Sequence, residues 1–173
     1  DPVRLRIVGS LLDSIAEDMG IALERAGFSP NIRERLDHSC ALFDANGELV
    51  AQAAHIPVHL GAMPMAVKAA QKHVDFAEGD VVLVNDPALG GTHLPDITAI
   101  QAFRLHPGDP EPIAYVANRA HHADVGGIVP GSMGLTEHLK DEGVVIPPTV
   151  WIRGGKPDQA VEDRIVDAMR FPE

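Results

Sequence analysis

The apolar positions along this chain change period several times, and each change predicts an element. Val3, Ile7, Leu11, Ile15, Met19 and Leu23 recur every four residues, with Leu12, Ala16 and Ala22 beside them. That is a stripe of helical period. Asp1 before Pro2 supplies a capping carboxylate and a proline suited to the first helical position, and Gly27 is placed to end the run. Gly9 and Gly20 each weaken the helix by about 1 kcal/mol relative to alanine, and both are expected to mark close packing against a neighbour.

After a turn at Ser29-Pro30-Asn31 and a charged connector over 32–37, the pattern becomes that of strands. Residues 39–43 and 48–53 flank Asp44-Ala45-Asn46-Gly47, and Asn-Gly is a strong hairpin signal. Residues 54–64 carry Pro57, Gly61 and Pro64, which predict extended chain. An amphipathic helix is expected over 65–76, with Val67, Ala70 and Val74 on one side. Val81-Val82-Leu83-Val84 reads as a buried strand, and further strands are expected over 97–103 and 113–117, separated by a polar loop. Residues 128–134 are rich in Gly and Pro, hence loop. The apolar run over 143–152 is split by Pro147-Pro148, which predicts an edge strand or extended arm. Asp158 can cap a last helix over 159–169. Together these predict one α+β domain over 1–173. Its sheet is mixed and largely antiparallel, with hairpins, packed by the N-terminal helix and two further helices.

Composition narrows the function. Apolar residues make up 45% and aromatics only 4%, so the core must be built from aliphatic side chains. The formal charge of −11 disfavours nucleic acid, whose phosphates require clustered Lys and Arg. No apolar run approaches the roughly 18 residues of a membrane span, and no signal-peptide pattern opens the chain. A cytoplasmic location is the expectation. The single cysteine, Cys40, excludes an intramolecular disulfide and a Cys-rich zinc site, and is expected as a small buried hydrophobe. No Gly-rich phosphate loop ending in Gly-Lys-Ser/Thr is present, so nothing points to ATP on this chain.

Two motifs carry the chemistry. The first runs Asn85-Asp86-Pro87-Ala88-Leu89-Gly90-Gly91-Thr92-His93-Leu94-Pro95-Asp96. The second runs Ala117-Asn118-Arg119-Ala120-His121-His122-Ala123-Asp124-Val125-Gly126-Gly127. If the strands over 97–103 and 113–117 pair antiparallel, Asp96 arrives beside Asn118 and the histidines. One or two imidazoles with one carboxylate, leaving open positions, suit Zn²⁺, Mn²⁺ or Fe²⁺. His121 and His122 are adjacent, and in extended chain they point oppositely, so both cannot easily ligate one ion. The other histidine is then a supporting residue or general base. Elsewhere, His55 and His59 lie four apart around Pro57, and a structural role is favoured over an active-site role for each. The connector's charges read mainly as a solvated face, with Arg33 or Arg35 as the candidate for an anionic substrate group.

These segments resemble the hydantoinase B/oxoprolinase family. The resemblance rests on the two motifs, on Ile32-Arg33-Glu34-Arg35-Leu36-Asp37-His38-Ser39-Cys40-Ala41-Leu42-Phe43-Asp44, on Ala54-His55-Ile56-Pro57-Val58-His59-Leu60-Gly61-Ala62-Met63-Pro64, and on Pro130-Gly131-Ser132-Met133. It covers nearly the whole chain and the N-terminal portion of the family. The family includes B subunits of ATP-dependent N-methylhydantoinases, the C-terminal part of 5-oxoprolinases and the α subunit of acetone carboxylases. The resemblance implies a hetero-oligomeric complex in which an A-type, actin-like ATPase subunit or domain uses ATP to phosphorylate a carbonyl or amide oxygen. The B-type part then completes hydrolysis of a small cyclic amide of the hydantoin or 5-oxoproline type. The alternatives are a ketone carboxylase subunit and a non-catalytic assembly module. The implied ligands of a divalent metal are His93, Asp96 and His121. His122 and Asp124 are assigned as general base or supporting groups, and Asn118 as a polar substrate or oxyanion contact. Arg33 and His59 stand as substrate contacts.

Overall fold

In the computed structural model the described residues are all but His55, Met133, Pro172 and Glu173. The chain forms helix α1 (Pro2–Ala26), a one-turn helix α2 (Pro30–Arg33), strands β1 (His38–Asp44) and β2 (Leu49–Ala54), and helix α3 (Pro57–His73). Strands β3 (Val81–Val84), β4 (Asp96–Phe103), β5 (Ala114–His121), β6 (Thr149–Arg153) and β7 (Lys156–Pro157) follow, then helix α4 (Gln159–Ala168). The strands build one sheet in the order β2-β1-β5-β4-β3-β6-β7, and every pairing is antiparallel. The expected α+β architecture is therefore observed, and among the described residues the sheet is antiparallel throughout instead of mixed.

Alternation along the strands sorts residues onto two faces. Ala41, Phe43, Val82, Val84, Ile100, Tyr115 and Ala117 turn to α3 and pack on Met63, Ala66, Val67 and Ala70. On the other face, Leu42, Ala51 and Ala53 meet Ala16 of α1, and Leu83, Ile97 and Trp151 pack with Ile165 of α4. Helix α1 is capped as the sequence predicts, with the Val3 amide donating to Asp1 Oδ1 at 2.9 Å. Its stripe is not core throughout, however. Val3, Leu5, Ile7, Leu11 and Ile15 are exposed, while Ala16 and Gly20 are buried. Gly20 is thus a packing position, and Gly9 has open space around it.

Several elements differ from the sequence reading, the one-turn helix α2 in the expected turn and connector among them. Helix α3 begins at Pro57 instead of after Pro64. Proline is compatible with the first helical turn, where its missing N–H would have no partner, so segment 57–64 is helical and not extended. The structural role expected of His55 falls outside the described residues. Strand β5 runs four residues past Ala117, so the second motif begins as strand. Strand β6 lies one place in from the edge because β7 covers it, and Pro147-Pro148 precede it. Cys40 is buried in β1, where desolvation and the charge of Glu24 push its thiol up to about 12. Such a thiol is unreactive at neutral pH.

A candidate metal centre at the end of the central strands

The central hairpin of β4 and β5 sets the site. Its register pairs Asp96 directly with His121, so the expected antiparallel pairing does bring the carboxylate to a histidine, whereas Asn118, expected beside Asp96, pairs with Ala99 three positions back because β5 runs on to His121. The loop before β4 brings His93 to the same place. That loop is tightly folded. The Asp86 side chain accepts from the Ala88 amide at 2.9 Å and starts a 3₁₀ turn over Pro87–Leu89. Gly90 then adopts φ 92°, a conformation that favours glycine. The buried side chain of Asn85 donates to Leu94 and Val144 carbonyls and accepts from the Ile146 amide, tying this loop to the segment before β6.

Three donor atoms converge. His93 Nε2 lies 3.0 Å from His121 Nδ1, and each lies 3.1 Å from Asp96 Oδ1. Among the described residues this is the group whose atoms stand close enough to share an ion. With Asp96 ionised, no assignment of protons to the two imidazoles satisfies all three sides of the triangle. If both imidazoles carry a proton at these atoms, donor faces donor between them; if only one does, the other turns a lone pair toward the carboxylate. A divalent cation held by these three atoms would answer all three contacts, and two imidazoles with one carboxylate are a donor set suited to a transition-metal ion with open positions.

The carboxylate is the electrostatic hub. Asp96 is fully buried, and burial alone would raise its pKa. Hydrogen bonds from His121, His59, His93 and Thr92 outweigh burial and hold the carboxyl far below the usual range. The hydrogen bond to Asp96 raises His93, against burial and the charge of Arg119. His93 is also the site's opening to solvent, its side chain 37% exposed against 13% for His121. Arg119, fully buried one residue before the hairpin partner of Ile97, donates to Thr98 Oγ1 and the Gly90 carbonyl, both at 2.7 Å. Burial pulls its guanidinium down to about 10, with Asp96 acting in the opposite sense.

The remaining sequence candidates are elsewhere. Asn118 and His122 turn to the opposite face of the sheet, as strand alternation requires. There they line a largely apolar cavity of about 440 Å³ with Leu23, Ala99, Trp151 and Ile165. Desolvation, then the neighbouring His121, pushes the His122 pKa down. Neither residue meets the trio. Arg33 is exposed at the end of α2. His59 does reach the site, but as a buried partner of Asp96. The sequence reading also missed Arg119, Asn85 and Asp37 as site-building groups. Pro57 as a helix-starting proline was the available signal for how His59 is delivered.

Asp124 holds the C-terminal segment. It accepts from the amides of Gly126, Arg170 and Phe171 at 2.8–3.0 Å. Partial burial opposes ionisation, and these three bonds outweigh it, so its pKa is depressed. A depressed carboxyl contributes stability that is present above its unfolded pKa, about 3.9, and fades as pH falls through the folded value. The wild-type advantage over Asp124→Asn in urea unfolding is therefore expected at pH 7 and should shrink below about pH 4. An equal gap at pH 7 and pH 3.5 would contradict this.

The family described as hydantoinase B/oxoprolinase matches residues 1–173. An uncharacterised Methanocaldococcus jannaschii protein, MJ0963, is 43% identical over 178 residues, spanning 99% of this chain and 31% of its own. The 5-oxoprolinase of Saccharomyces cerevisiae is 46% identical over 158 residues, spanning 90% of this chain and 12% of its own. The crystal structure of an ATP-dependent caprolactamase from Pseudomonas jessenii superposes with a TM-score of 0.85 at 31% identity, over 99% of this chain and 30% of that one. The chain thus spans about a third or less of the length of these relatives.

Proposed function

This chain belongs to the hydantoinase B/oxoprolinase family, and on that footing we propose that it forms the metal-dependent catalytic portion of an ATP-coupled cyclic-amide hydrolase. The observation that carries this reading is the triangle of His93, Asp96 and His121, whose edges suit a divalent ion and, with Asp96 ionised, are not all satisfied by protons on the imidazoles. Mn²⁺, Zn²⁺ or Fe²⁺ fits the donor set of two imidazoles and one carboxylate. Such an ion, when bound, lowers the pKa of water and polarises a carbonyl oxygen.

The chain's own groups supply the setting. Asp96 presents Oδ1 to the two histidines and keeps Oδ2 engaged by Thr92 and His59. The partly exposed His93 marks the side from which substrate enters. Buried Arg119 sets a positive charge near the carboxylate and pins the Gly90 carbonyl, which fixes the loop leading to His93. Asn118 and His122 open onto the other face, so the proposed chemistry rests on the trio. ATP is consumed by a partner subunit or domain of the A type, since this chain has no phosphate-cradling glycine loop. Amide hydrolysis is favoured over ketone carboxylation by the likeness to a 5-oxoprolinase and a caprolactamase.

The test is to produce the chain with its ATPase partner and assay the purified complex for ATP-dependent opening of a cyclic amide, alongside metal content. The unmodified complex should hold a divalent ion and turn over, and His93→Ala should lose both. Full metal content in that variant would remove the ligand assignment. Bicarbonate-dependent turnover in place of hydrolysis would move the complex to carboxylation.

A further inference from the structure

Helix α3 begins with Pro57, and its first turn carries His59 into the interior, where the residue is 1% exposed. The imidazole bridges two strands. Its Nε2 lies 3.2 Å from Asp96 Oδ2, and its Nδ1 lies 3.2 Å from Ser39 Oγ on β1. One proton arrangement satisfies every atom: Ser39 donates to Nδ1, and Nε2 donates to the carboxylate. Thr92 Oγ1 donates to the same oxygen. The carboxylate is therefore divided, with Oδ2 held by Thr92 and His59 and Oδ1 left facing His93 and His121. Asp37 Oδ1, 3.8 Å from His59 Nε2, adds a second carboxylate on the same side.

We infer that His59 is a positioning residue. It orients Asp96 so that one oxygen alone completes the metal triangle, and it is neither a ligand nor a substrate contact. The inference rests on the metal reading above. Its physical basis is that a carboxylate on a β-strand can rotate about χ2, which exchanges its two oxygens. Two donors fixed on one oxygen remove that freedom, and the donor on the long lever, His59, is anchored at its far side by Ser39. Loss of such a supporting partner typically weakens metal affinity 10–100-fold.

The experiment titrates the chain with Co²⁺, read by its visible absorption, for the unmodified protein, His59→Leu and His59→Gln. Glutamine is informative because its amide nitrogen occupies the place of Nε2 and can still donate to Asp96. Leucine is expected to weaken Co²⁺ binding by about tenfold or more and to alter the absorption bands, which report ligand geometry. Glutamine should restore the bands and most of the affinity. Thermal unfolding of all three proteins identifies variants that merely lose stability. Unchanged affinity and bands in His59→Leu would overturn the inference. So would equal weakening in both variants with bands unaltered, which marks a role in packing. If the unmodified chain gives no Co²⁺ spectrum, the metal reading itself fails and this inference falls with it.

Discussion

Asp96→Asn should lower divalent-metal affinity by at least about a hundredfold, beyond the usual loss from removing a supporting group. The substitution preserves shape and removes the charge on which the site converges. Asp96 is buried, and His121, His59, His93 and Thr92 all address it. An amide offers one oxygen and one NH₂ group, so a donor is turned toward donors on one side. Each buried group left unmatched costs about 1–3 kcal/mol. Arg119 also loses the anion that favours its charge in the interior. Two effects are therefore expected together: weak metal binding, and a lower urea midpoint in the metal-free protein. Competition titration against a chelator measures the first and urea unfolding with EDTA the second. Wild-type affinity in the variant would show that the ion, if bound, sits elsewhere.

Gly90→Ala is expected to destabilise the fold by about 3 kcal/mol or more. One contribution is conformational: Gly90 has φ 92°, and a left-handed conformation costs an L-residue about 1–2 kcal/mol. The other is steric. A Cβ here would lie 2.2 Å from the Ala66 amide nitrogen and 2.6 Å from the Met65 carbonyl carbon. Both are helix backbone and cannot swing aside, and overpacking of this kind costs about 1–3 kcal/mol. Relief requires α3 to retreat from the loop, and α3 carries His59 while the loop carries His93. Urea unfolding with an unchanged midpoint would contradict the close approach.

The convergence of Asp96 and His121 was legible in the sequence, because local order and pairing determined it. Antiparallel pairing of two neighbouring strands was enough to bring Asp96 to His121, and strand alternation was enough to separate His121 from His122. His59 was not legible in the same way. Its partner lies 37 positions further along the chain, and its delivery depends on a helix whose start was obscured by a second proline at position 64. Arg119 was invisible for a different reason. Nothing in Asn-Arg-Ala distinguishes a guanidinium bonded to a loop carbonyl in the interior from one in solvent. The α1 stripe shows the converse failure: helical period correctly predicted the helix, while burial of its first half did not follow from period alone.

The direct pairing of Asp96 with His121 has a thermodynamic consequence. Two of the three donors are separated by a backbone register, which cannot drift without breaking the hairpin. The translational freedom of their backbones is therefore lost when the sheet forms, and the rotation left to the Asp96 carboxylate is taken up by Thr92 and His59. Binding then draws little further ordering entropy from the protein. Under the proposed metal reading, affinity would then depend on how well the ion fits a spacing set beforehand, the behaviour of a pre-organised host.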